Sequence, residues 1–271
     1  MPSSNPAFGR GFARSVNGQS WGAPTQYGAP GQYGAPTQYD QYGAPNPYAA
    51  TTTRYMTMDD VVTKTGVAFL VTVLTAAATW ALPVSTGYAL ALPAALIGLV
   101  LGLVISFKQI ANPAATLGYA AVEGVFLGGI SELFNLRFPG IVTQAVVGTF
   151  GVFAGMLVVY KTGAIRVTPK FTRWMLGALI GVLVLVVVNL IASFVVPGGL
   201  GLRSGGPIAI IFSLVVIGVA AFSLLLDFDM ADEAIRRGAP AKFAWYIAFG
   251  LLVTVVWLYL EILRLLSYFR N

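Results

Sequence analysis

The chain has 271 residues, 57% of them hydrophobic and 10% charged, whereas a soluble domain carries about a quarter charged residues; its mean hydropathy of +0.78 excludes an ordinary soluble domain. Cysteine and histidine are both absent, which removes disulfide scaffolds, thiolate zinc sites, cysteine nucleophiles and imidazole bases or ligands. The net charge of +6 comes from Lys and Arg scattered over an apolar chain, a pattern of membrane topology signals rather than of a nucleic-acid module.

The first 55 residues or so are low in hydrophobicity and rich in turn formers, and are expected to be a disordered tail. YGAP units recur at Tyr27, Tyr33 and Tyr42, so Gly and Pro return faster than a helix or strand tolerates. Such a segment reads either as a Gln/Tyr-rich tether for other proteins, membrane-protein partners among them, or for self-association, or as a solvated tail. Residues 1–20 lack the apolar core of about 7–15 residues that a signal peptide needs. The tail is therefore expected to stay on the side of synthesis.

Beyond Arg54 the hydropathy rises and breaks at intervals of about 20 residues, the length that crosses a hydrocarbon core of roughly 30 Å. The expected spans are 59–82, 88–107, 114–135, 138–160, 172–196, 206–228 and 242–268. Their breaks are Pro83 with Gly87, Asn112-Pro113, Pro139-Gly140, the basic loop from Lys161 to Arg173, Pro197 to Gly199, and Arg236 to Pro240. The third and fourth spans are separated by little, and fusing them gives a six-span alternative with both termini on one side.

With seven spans, twelve Lys and Arg fall on one side and four (Arg137, Arg203, Arg264, Arg270) on the other. The positive-inside rule then puts the N-terminus in the cytoplasm and the C-terminus outside a cell (plasma or inner) membrane. Close helix approach in lipid favours small residues four apart. Gly98/Gly102, Gly124/Gly128, Gly151/Gly155 and Gly177/Gly181 supply them and favour a tightly packed bundle.

An ionised side chain at the centre of a membrane helix costs about 2.5–3.5 kcal/mol on insertion scales, so intramembrane acids are the first place to look for function. Of ten acids in the chain, Asp59 and Asp60 follow Thr57 at a helix start, where negative charge is favoured. Asp232 and Glu233 sit at ion-pair spacing from Arg236 and Arg237. Glu132 lies near a helix end and close to Arg137, and needs no special role.

Glu123, Asp227 and Glu261 each interrupt an apolar helix. Counted from the cytoplasmic ends, Asp227 falls in the inner part, Glu123 near mid-depth and Glu261 in the outer half, a ladder of carboxylates. Asp229 points elsewhere on its helix but is available at the mouth. Oxygen ligands without His or Cys suit calcium or protons rather than zinc or copper. Plainer readings exist for each: Glu261 neutralised by Arg264, Asp227 at a helix end in water, Glu123 neutral and hydrogen-bonded across helices. Asn189 and Gln144 read as packing hydrogen bonds.

The segments YAAVEGVFLGG, LLLDFDMADEAI and WLYLEILRLL resemble the transmembrane Bax inhibitor motif family, in its bacterial YccA-like branch, over residues 58–270. The resemblance implies seven helices with the last surrounded by the other six. It also implies a pH-sensitive calcium leak channel or a suppressor of stress and cell death. In that family an acid ending the sixth helix pairs with one in the seventh, and their protonation gates the pore. By resemblance Asp227 and Glu261 match these positions and make a candidate calcium site. Here the second acid is glutamate, Arg264 sits beside it, and the second helix holds no arginine. The stretch between the two acids is also longer than the pattern, and at about 1.5 Å per residue a few added turns lift Glu261 away from Asp227.

The expectation is therefore an all-α, seven-helix integral membrane protein conducting a slow, pH-dependent calcium leak, with no resident cofactor and no enzymatic activity. The alternative is a non-conducting regulator of a stress response or of a membrane protease, acting through protein contacts. An intramembrane hydrolase comes third, since the sequence has no GxSxG and no HExxH.

Overall fold

The structure is a computed structural model that describes residues 54–270; the YGAP repeats lie outside the described residues. Those residues form seven α helices, each long and apolar enough to cross a membrane. They are α1 (Met58–Trp80), α2 (Val84–Lys108), α3 (Pro113–Arg137), α4 (Ile141–Thr162), α5 (Pro169–Ser193), α6 (Pro207–Arg236) and α7 (Ala244–Tyr268).

The helix starts follow from local chemistry. Thr57 accepts from the backbone of Asp60 while the Asp60 carboxylate accepts from the backbone of Thr57, a reciprocal capping box. Asn112 and Thr168 cap α3 and α5, each with Pro at the first helical position, where no amide hydrogen is missed. Gly140, at φ 80°, turns the chain between α3 and α4, so these are separate helices and the six-span alternative is not adopted.

Two boundaries differ from expectation by a helical turn or more. Pro83 ends the break after α1, and Gly87 is helical, its amide bonded to Pro83 O at 3.0 Å. The sixth helix runs on to Arg236 instead of stopping near residue 228. Its extra turns are polar and held by Arg236–Asp232 at 2.9 Å, Arg236–Glu233 at 2.7 Å and Arg237–Glu233 at 2.6 Å, the ion pairs that the spacing foretells.

α7 is the centre of the bundle: 67% of its span is buried, against 11% for α5. It packs against α1, α3, α4 and α6, while α2 rests on α3 and α5 on α6. The segment leading into α1 is clamped to the α6–α7 loop, with Met56 donating to Ala239 O and Ala241 donating to Arg54 O, both at 2.8 Å. Large apolar side chains such as Leu92, Leu183 and Val195 face outward, as a lipid-facing surface requires.

The glycine pairs divide. A Cβ on Gly128 would meet Ala76 O at 2.5 Å, so α3 touches the α1 backbone there and an alanine does not fit. Gly98 and Gly102 face α3 through Glu123 and Tyr119. Gly151, Gly155, Gly177 and Gly181 meet nothing within 4 Å, so those two pairs do not knit the described bundle.

Candidate functional site

The expected ladder is redistributed. Asp227 projects from α6 onto α7, its Oδ1 lying 3.8 Å from the point that a Cβ on Gly250 would take. Its Oδ2 is sealed from solvent with no hydrogen-bond partner. It lines a cavity of about 190 Å³ together with Ser106, Gly250, Val253 and Thr254. The Thr254 hydroxyl donates to Gly250 O at 3.2 Å.

Glu123 lies on the other side of the same stretch of α7. It is 9% exposed and lines a cavity of about 320 Å³ with Gly98, Gly102, Ser106, Tyr119 and Phe249. Its Oε2 reaches to 2.9 Å from a notional Cβ on Gly98, so the glycine leaves the space that the carboxylate fills. Tyr119 precedes Glu123 by one helical turn and stacks edge-on against Phe249, with centroids 4.9 Å apart. Ser106, Phe249 and Val253 wall both cavities. Asp227 and Glu123 thus flank one region, at one level of α7 instead of two.

Glu261 stands apart from that region. Ser213 Oγ donates to its Oε1 at 3.2 Å and Arg264 holds its Oε2 at 2.8 Å. Ser213 and Asp227 are fourteen residues apart on α6, about 21 Å at 1.5 Å per residue, so the carboxylate bonded to Ser213 does not share a cation with Asp227. The acid pair that the resemblance implies does not form here. In the loop before α6, burial and the nearby Arg264 push the Arg203 guanidinium below its usual value, and Glu261 opposes that shift. Glu261 is the anionic centre of a basic cluster.

Asp229 lines neither cavity. It lies toward Tyr160, Asp232 and Arg236 at the polar end of α6. No group of three or more acids suited to a metal ion occurs among the described residues. Asn189 accepts from Leu200 N at 3.0 Å and so pins the α5–α6 loop; Gln144 accepts from Arg270 at 2.9 Å.

Glu132 is the residue that sequence reasoning missed. It is 8% exposed, its Oε2 has no hydrogen-bond partner, and that oxygen lies 3.0 Å from a notional Cβ on Gly87 of α2. It makes no ion pair with Arg137, whose guanidinium instead lies 5.7 Å from the Phe138 ring centre. The signal was in the spacing: five residues are about 140° around a helix, so the two side chains diverge.

Across residues 5–271 the chain matches the family model described as Bax inhibitor 1 like. No curated protein matches it.

Proposed function

We propose that the chain, which belongs to the Bax inhibitor 1-like family, is a pH-sensitive calcium leak channel whose ion path passes between Asp227 and Glu123. One observation carries the reading: two adjoining cavities, with Ser106, Phe249 and Val253 in common, are lined by carboxylates from α6 and α3. Acids inside a membrane helix are costly and mark ion paths or proton relays. Carboxylate and hydroxyl oxygens suit a hard cation.

The sign of the pH dependence follows from charge. Deprotonated Asp227 and Glu123 attract a divalent cation, and protonation removes that attraction, so conduction falls as pH falls. Glu261, neutralised by Arg264, anchors the opposite end of α7 and does not gate. The reading keeps the N-terminus cytoplasmic in a cell membrane, on the bias of Lys and Arg between loops.

The test is calcium flux in liposomes from about pH 5 to about pH 8. Flux should rise with pH, and Asp227→Asn and Glu123→Gln should each lower it and flatten its pH dependence. Flux no greater than through empty liposomes, with folded protein confirmed, would overturn the reading in favour of a non-conducting regulator.

A further inference from the structure

The described helices leave a cleft in the lipid-facing surface. α1 packs mainly against α3 and α7, and α4 against α7 and α6, while α1 and α4 share no extensive contact with each other. Between them lies a cavity of about 420 Å³ walled by Val62, Gly66 and Phe69 from α1 and by Phe153 and Leu157 from α4. Gly66 is open to it: a Cβ there would meet nothing within 4 Å. A second apolar cavity of about 280 Å³ continues past Phe69 and Phe150, which line both, and reaches Trp80.

Length and charge identify the occupant. From Met58 to Phe69 the first cavity follows α1 for eleven residues, about 16 Å, or half of a hydrocarbon core of roughly 30 Å. That is the depth of one leaflet and of one acyl chain. At its mouth stands exposed Lys161, with no carboxylate in ion-pair distance among the described residues. From Lys161 the chain continues through Arg166, Lys170 and Arg173 without an acid. Of the acids near the mouth, Asp60 is held by Arg54 and Lys64 and Asp232 by Arg236; among the described residues Asp59 and Asp229, the latter toward Tyr160, have no ion-pair partner, and the four basic residues from Lys161 to Arg173 outnumber them. An anionic headgroup is the complement of this surface.

We propose that the α1–α4 cleft binds one anionic phospholipid, with an acyl chain lying along α1 between Met58 and Phe69 and the headgroup phosphate at Lys161. The site is separate from the Asp227 and Glu123 cavities and does not depend on ion conduction.

Native mass spectrometry of the full chain, released from detergent after incubation with phosphatidylglycerol or phosphatidylcholine, tests this. The wild type should retain one phosphatidylglycerol and markedly less phosphatidylcholine. Gly66→Phe, which fills the open space in the cleft, should lose the retained lipid. Lys161→Gln should lose the preference for phosphatidylglycerol, and it decides the matter alone if Gly66→Phe does not fold. Leu183→Phe, on the outward face of α5, should behave as wild type. Equal retention of the two lipids by the wild type, or wild-type behaviour of Gly66→Phe and Lys161→Gln, would overturn the proposal. So would a lipid-free dimer that Gly66→Phe breaks, which assigns the cleft to a second copy.

Discussion

Arg264 closes on Glu261 at 2.8 Å, one turn further along α7, while the carboxylate itself is buried against Ser213 of α6. Removing one partner of a buried pair leaves an uncompensated charge, at a cost of about 3–5 kcal/mol. The Arg264 side chain is 26% exposed, which puts the expected loss at the low end. Arg264→Gln should therefore lower the thermal midpoint in micelles, and Glu261→Gln added to it should restore much of the loss. A double variant no more stable than Arg264→Gln would contradict the pairing.

Gly98 of α2 and Gly128 of α3 separate function from packing. An added Cβ at Gly98 meets the end of the flexible Glu123 side chain, at 2.9 Å, whereas at Gly128 it meets the α1 backbone at 2.5 Å. Overpacking against groups that cannot move costs about 1–3 kcal/mol. Gly128→Ala should lose stability in that range. Gly98→Ala should unfold near the wild-type midpoint but change the calcium flux, because it displaces the Glu123 carboxyl. The reverse ranking in thermal unfolding would count against this assignment.

Glu132 carries a buried oxygen with no partner. An unsatisfied buried polar atom costs about 1–3 kcal/mol, so Glu132→Met, which keeps the volume and removes the orphan, should raise the unfolding midpoint. A lower midpoint would mean that the carboxyl makes a contact the structure lacks.

The helices were legible because each apolar stretch ends at Pro, Gly or a basic cluster, punctuation that acts locally. The extension of α6 was harder to see, since Asp232, Glu233, Arg236 and Arg237 look like loop polarity until their i,i+3 and i,i+4 pairing is counted as helix support. The site was half legible. Glu123, Asp227 and Glu261 stand out as acids in apolar runs, but which of them share a cavity depends on the register of α6 and α3 against α7, a tertiary property. Glu132 was hidden for a related reason: its burial rests on Gly87 of another helix, and Gly87 alone reads as a breaker.

The central claim is that Asp227 and Glu123 act on one ion path, and a double-mutant cycle on calcium flux in liposomes tests it most directly. Residues on one path couple, and independent sites add. Asp227→Asn combined with Glu123→Gln should be little worse than the more damaging single variant, while Glu261→Gln should keep the wild-type dependence on pH. Strictly additive losses from Asp227 and Glu123, or a pH response carried by Glu261 instead, would contradict the account.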